Sequence, residues 1–193
     1  ITGNLNIICT TYNKPFFEDQ MMPLGRLRES ISGIHRADAL FVNRCPQDFN
    51  EPEFTRKASK YVPDSIPIFY TQVKYGEIVG PHSKKIKWHL LAGIADPTPF
   101  SEYVSSQFQV ISERIFPDHH SFTEDELSEL NVMAKQLPPD EGIITTYKDY
   151  MRLMDSFSDC PDLKSNLYYL PIEMSFLNQE KEFWAWLGNK MKR

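Results

Sequence analysis

The segment Phe116-Pro117-Asp118-His119-His120-Ser121-Phe122 sets one carboxylate beside two imidazoles in a chain of 193 residues. Imidazole titrates near neutrality, and a neighbouring carboxylate fixes its tautomer and stabilises its charged form. Asp118 and His119 are therefore a candidate proton-transfer unit. Adjacent residues often point apart, so the plainer outcome is an Asp turn with two surface histidines. A metal reading would take Asp118, His119 and His120 with His82 or His89. Three consecutive side chains do not converge readily on one ion, and the histidines lack diagnostic spacing, so no metal site is assigned.

Two further groups could meet phosphate. Pro23-Leu24-Gly25-Arg26-Leu27-Arg28-Glu29 offers two guanidiniums, whose planar forks suit bidentate contact. The spacing of Leu27, Ile31 and Ile34 predicts a helix over 26–37, with Arg26 and Arg28 at its start, against the dipole preference. A local inconsistency of that kind can mark function. One solvated arginine and one paired with Asp19 or Glu29 is the plainer outcome. Thr145-Thr146-Tyr147-Lys148-Asp149, followed by Arg152, brings hydroxyls and Lys148 to a predicted strand end. They suit a phosphate there, or the cap of the next helix.

The elements that must position these groups alternate. Apolar runs predict strands over 5–12, 39–42, 66–73, 88–95, 109–116, 142–147 and 167–172. Helices are expected over 52–61, 99–108, 123–137 and 180–192. In the third of these Thr123 and Glu126 make a capping box. In the last, Phe183, Trp184, Leu187 and Met191 read as the core face, although Trp184, Trp186, Lys190, Lys192 and Arg193 could instead face a membrane surface. Strands alternating with helices predict a layered α/β fold with mostly parallel sheet. The Asp118–His119 segment would then lie at the carboxyl end of a strand, where ligands of such sheets gather, and just before a helix N-terminus. The Gly-, Pro- and Lys-rich segment 80–87 is the best internal boundary, dividing 1–79 from 80–193.

Composition removes several classes. Hydrophobic residues make up 41% and charged residues 24%, which excludes a disordered chain. No apolar run approaches the roughly 20 residues of a membrane helix. Ile1-Thr2-Gly3-Asn4 lacks the pattern of a secretory signal. A net charge of −5 argues against a nucleic-acid partner. Cys9, Cys45 and Cys160 form no C-x-x-C pair and fit a reducing compartment. The sequence carries no G-x-x-x-x-G-K-[ST] phosphate loop.

Taken in order, these motifs resemble those of the tetraacyldisaccharide 4'-kinases, the lipid A 4'-kinases of Gram-negative bacteria. Leu24-Gly25-Arg26-Leu27-Arg28-Glu29 resembles L-P-A-G-x-L-R-E-P, and Arg36-Ala37-Asp38 the R-A-D after it. Ala92-Gly93-Ile94-Ala95-Asp96-Pro97 with Phe100 resembles A-G-I-G-N-P-x-x-F. The Asp-His-His segment resembles F-x-D-H-H-x-F/Y, and Thr146-Tyr147-Lys148-Asp149 resembles T-E-K-D. The sequence departs from the pattern at Leu24, Ser30 and Tyr147, where Ala, Pro and Glu are usual.

The resemblance implies the C-terminal portion of a longer kinase: residues 1–79 as part of a P-loop core with a linker strand, and 80–193 as a second α/β domain that returns to the core. The chain has no initiator Met, as a portion would not. The implied parent transfers the γ-phosphoryl group of ATP, with Mg²⁺, to the 4'-hydroxyl of a disaccharide 1-phosphate glycolipid. It works at the cytoplasmic face of the inner membrane, which it meets through a preceding N-terminal segment. The resemblance assigns catalysis to His119, beside Asp118, in support of a catalytic Asp upstream. It leaves Arg26, Arg28 and Lys148 as phosphate or substrate contacts. The portion alone is expected to be inactive and to bind no ATP or Mg²⁺ tightly. Two other readings are a non-catalytic phosphate- or glycolipid-binding domain and a metal phosphoesterase. The second would need acidic ligands such as an upstream D-x-D, which the sequence lacks.

Overall fold

The computed structural model describes residues 5–81 and 84–192. Ile1–Asn4, His82, Ser83 and Arg193 lie outside the described residues, so the candidate ligand His82 is not placed. The elements in order are β1 Ile7–Thr11, β2 Ala39–Asn43, α1 Glu51–Ala58, β3 Ile68–Tyr75, β4 Lys87–Ala92, α2 Thr98–Gln107, β5 Gln109–Ile115, α3 Glu124–Gln136, β6 Glu141–Thr146, α4 Tyr147–Met154, α5 Pro161–Asn166, β7 Leu167–Leu170, β8 Ile172–Phe176 and α6 Glu180–Lys190. They form two compact units: Ile1–Lys74 with Glu173–Arg193, and Tyr75–Ile172. The architecture is mixed α/β with mostly parallel sheets, as the alternation predicts.

The first unit carries a sheet in the order β1-β2-β3-β8, with β1, β2 and β3 parallel. Ala39, Leu40 and Val42 of β2 are all fully buried, because a central parallel strand is covered on both faces. Leu40 and Val42 pack with Ile34, Phe54 and Ala58, whereas Ala39 packs with Phe69 and Phe183. On α6 the apolar stripe is Phe183, Trp186 and Leu187, at i, i+3 and i+4. Trp184 and Met191 are exposed, at 58% and 79%, which corrects the expected core face. Trp184 lies a hundred degrees around the helix from Phe183, and Met191 is the residue after the last turn.

The expected helix over 26–37 does not form. Only Ile31–Arg36 is helical, as a 3₁₀ segment capped by Ser30. Residues 19–27 close instead into a hydrogen-bonded loop, in which the Asp19 carboxylate accepts from the amides of Gln20 and Arg26. Local side-chain bonds of this kind compete with a helix for the backbone. Gly25 completes the turn, since a Cβ there would stand 2.3 Å from the Gln20 carbonyl oxygen. The predicted strand 167–172 is likewise two strands. Pro171 has no amide to donate, and it separates β7, in the second unit's sheet, from β8, in the first.

The second unit's sheet has the order β5-β4-β6-β7, with every neighbouring pair parallel. Trp88, Leu90 and Ala92 of β4 pack against Phe100 and Val104 of α2. Leu91 points the other way, onto Leu130, Leu153 and Leu163. The chain runs from β4 out to β5, then back across β4 to β6. The connections leaving β4 and β6 therefore diverge, and their carboxyl ends frame the crevice in which open α/β sheets hold ligands.

The capping box of α3 is present as predicted. Thr123 Oγ1 accepts from the Glu126 amide, and Glu126 accepts from the Thr123 amide at 2.8 Å. The Thr123 amide, then the hydrogen bond from His120, hold the Glu126 carboxyl below its ordinary value of 4.5 against partial desolvation. Thr123→Ala should lower the unfolding free energy by about 0.5–2 kcal/mol, measured by urea denaturation. A carboxyl with a depressed native value stabilises the fold above its unfolded value and stops doing so as pH falls through the native one. The stability gap between wild type and Glu126→Gln should accordingly be full above pH 4.5 and close at lower pH.

Candidate active site at the carboxyl edge of the second sheet

The loop after β5 begins with Phe116, whose amide donates to the Ala92 carbonyl at 2.7 Å, locking the loop to β4. His119 then adopts φ 57°, in the left-handed region that few residues other than glycine enter. Its amide donates to Asp118 Oδ1 at 3.0 Å, and the His120 amide to the Pro117 carbonyl at 3.2 Å. The turn separates the two imidazoles. His119 is 77% exposed, with Nε2 3.5 Å from Asp118 Oδ2. His120 stacks on Phe116 at 4.7 Å and meets Glu126 Oε2 through Nε2 at 2.8 Å. Asp118 and His119 do touch; the adjacent His120 serves the packing under the loop.

Lys148 enters from α4 and donates to Asp118 Oδ1 at 3.3 Å. Partial desolvation raises the Asp118 value. The Lys148 hydrogen bond, the charges of His119 and Lys148, and the His119 amide outweigh it, so the carboxyl lies below the usual range. Asp118 is thus a carboxylate at neutral pH, between an exposed imidazole and an ammonium. This set can hold or move a proton at the imidazole and present positive charge to an anion.

Beneath it lies a buried ionic pair, Asp149–Arg152, in the segment that the sequence marked for its hydroxyls and Lys148 and not for this pairing. Thr146 caps α4 by accepting from the Asp149 amide, and its hydroxyl donates to Asp149 Oδ2 at 2.7 Å. Oδ2 also accepts from the Gly93 amide at 3.0 Å. The Asp149 side chain is wholly buried, and Oδ1 lies 2.9 Å from Arg152 Nη2. That contact is an ion pair rather than an aligned hydrogen bond. Arg152 donates further to the carbonyls of Gly93, at 2.8 Å, and His120, at 3.1 Å. Gly93 suits this close approach, since a Cβ there would sit 3.2 Å from Asp149 Oδ1 and press on the pair. The one local signal was Thr146-x-x-Asp149, the spacing of a helix cap.

The remaining candidates fall elsewhere. Arg26 belongs to the first unit's loop, not to a helix start, and its Nε pairs with Asp19 at 2.9 Å. Arg28 is exposed on the same loop without an ion-pair partner among the described residues, while Glu29 pairs with Arg36. His89 is held within β4 by Ser112, at 2.8 Å, and Glu141, at 2.9 Å. Glu141 opens β6, so His89 lies toward the amino ends of the strands, away from Asp118. Among the described residues no three His, Cys, Asp or Glu side chains are grouped to hold a metal ion. Cavities of about 200 and 260 Å³ lie in the first unit, the larger beside Thr55, Tyr70 and Gln179.

The family model of tetraacyldisaccharide-1-P 4'-kinase matches residues 1–192. A tetraacyldisaccharide 4'-kinase of Flavobacterium johnsoniae is 39% identical over 192 residues, covering 95% of this chain and 53% of the relative. That of Porphyromonas gingivalis is 32% identical over 198 residues, covering 95% and 55%. The crystal structure of "apo" form LpxK from Aquifex aeolicus in complex with ATP superposes with a TM-score of 0.58. It is 17% identical, covering 97% of this chain and 52% of that one, and shares the fold. The chain spans about half the length of the curated relatives it matches. On the family match over nearly every residue, the chain belongs to the tetraacyldisaccharide-1-P 4'-kinase family.

Proposed function

We propose that this chain is the C-terminal portion of a kinase that transfers the γ-phosphoryl group of ATP to the 4'-hydroxyl of a tetraacyldisaccharide 1-phosphate. Family membership supports the reaction class, and the relatives' double length supports a longer parent. The observation that carries the site is the left-handed, exposed His119 beside the Asp118–Lys148 pair at the carboxyl edge of the second sheet. The parent would work peripherally at the cytoplasmic face of the inner membrane, against its glycolipid substrate. None of the described helices is long and apolar enough to cross a membrane.

In this mechanism Asp118 orients the His119 ring through the Nε2 contact at 3.5 Å. His119 supports an Asp, supplied by the preceding polypeptide, that orients the acceptor hydroxyl and takes its proton. Lys148 lends positive charge where negative charge gathers. In phosphoryl transfer such positioning and electrostatics carry most of the catalysis. The described residues do not fit a Mg²⁺ site by themselves: Asp118 is engaged by Lys148, and Asp149 is sealed by Arg152 and Gly93. The phosphate loop and metal ligands are assigned to the preceding polypeptide, and no step here runs through the metal.

Arg26 and Arg28 separate under this reading. Arg26 braces its loop through Asp19, whereas Arg28 is available to a phosphate.

In the full-length kinase, His119→Ala should reduce kcat by roughly 10²–10⁴, the range for a positioned acid–base group. His120→Ala should leave kcat within a few-fold and lower stability by about 1 kcal/mol through its lost ring contacts. Kinetics and thermal melts decide, and a fully active His119→Ala enzyme beside an inactive, folded His120→Ala enzyme reverses the assignment. Arg28→Ala should lower kcat/KM about tenfold to a hundredfold, as for a lost charge-assisted bond. Wild-type kinetics would leave Arg28 a solvated side chain. Calorimetry on residues 1–193 should show no micromolar binding of Mg²⁺-ATP.

A further inference from the structure

One turn of α4 grips the loop on both sides of His119. Lys148 holds residue 118 by its side chain, 3.3 Å from Oδ1, and Arg152 holds residue 120 by its carbonyl, at 3.1 Å. Arg152 also fastens the loop after β4, through the Gly93 carbonyl at 2.8 Å. The guanidinium is seated on a carboxylate with no exposure to solvent. We propose that Arg152 is a positioning residue, which fixes His119 for phosphoryl transfer by tying the main chains of His120 and Gly93 to buried Asp149. This rests on the reading that His119 acts in the transfer.

The geometry disfavours a direct contact between Arg152 and substrate. Nη1 is spent on His120, Nη2 on Gly93 and Asp149, and Nε is buried with no hydrogen-bond partner among the described residues. Little of the fork is left to face a ligand. The fork is nevertheless essential to the tie, because a guanidinium spans two carbonyls and a carboxylate at once. A lysine keeps the charge opposite Asp149 but offers one compact head, which cannot reach all three. Left-handed His119 needs such bracing, since the surrounding structure must over-determine a residue in that region. Displacement of a reacting group by about 1 Å can cost on the order of a hundredfold in rate.

The test uses the full-length kinase with Arg152→Lys, Arg152→Ala, His119→Ala and the double variant Arg152→Lys/His119→Ala. Arg152→Lys should fold with a melting midpoint near wild type and lower kcat about tenfold to a hundredfold, with KM for ATP little changed. Arg152→Ala should lose at least as much kcat. Residues that act as one unit are not additive. The double variant should therefore be no slower than His119→Ala alone, a result that a general loosening of the fold would not give. Wild-type kcat in both Arg152 variants, with His119→Ala impaired, overturns the positioning role and leaves the His119 reading standing. Losses that multiply in the double variant, or an Arg152→Lys enzyme that unfolds at the assay temperature, overturn it as well. A fully active His119→Ala enzyme removes the reading on which the role rests, and the role with it.

Discussion

Asp149 is the carboxylate on which the carboxyl edge of the second unit depends. It is fully buried, and a buried charge survives only when its partners replace the water it has lost. Those partners are the Thr146 hydroxyl that caps α4, the Gly93 amide that follows β4, and the guanidinium of Arg152, one turn along α4 from Asp149. Removal of either charge would strand the other, at a cost of about 3 kcal/mol or more. The connections that diverge from β4 and β6 are thus joined at the point where the sheet opens a crevice. Above that joint, the exposed groups are free to serve chemistry instead of packing.

The two adjacent histidines show how one short loop divides that work. His120 turns down onto Phe116 and Phe122 and shares Glu126 with the capping box of α3. The Arg114 guanidinium lies 5.0 Å over the Phe116 ring and pairs with Glu129 of α3. The packing beneath the loop is therefore aromatic and ionic together. His119, one residue earlier, is turned outward by the left-handed backbone and, among the described residues, pairs with Asp118 alone. The positive φ gives two neighbouring residues of one type different places, one packed beneath the loop and one exposed above it.

Much of this was legible in the sequence where the determining contacts are local. The Thr123–Glu126 box lies within one helical turn, and its pattern named the helix correctly. The apolar runs named strands because a parallel sheet buries both faces of its central members. The helix expected over 26–37 failed because Ser30 takes the Ser32 amide that the helix would have used, while Asp19 holds Arg26 in a loop, and periodicity does not register such competition. Pro171, within an apolar run, marked a break that the run concealed. In the site, Asp118 and His119 were legible by adjacency. Lys148 meets Asp118 side chain to side chain across 30 residues, and Asp149 meets the Gly93 amide across 56, and contacts at such separations leave no periodic trace. The identity of the chemistry came from ordered motifs, since composition and spacing reach only an α/β domain with an anion site.

The account therefore turns on Asp118 as the group that makes His119 useful, not merely a turn residue that accepts its amide. Asp118→Asn keeps the size and a hydrogen-bond acceptor at 118 but removes the charge beside the imidazole and Lys148. Single-turnover phosphoryl transfer by the full-length kinase, with ATP and glycolipid bound at saturation, isolates that charge from substrate binding. The account predicts a rate lowered by roughly tenfold or more with an unchanged melting midpoint. A folded Asp118→Asn enzyme that transfers phosphate at the wild-type rate would contradict it.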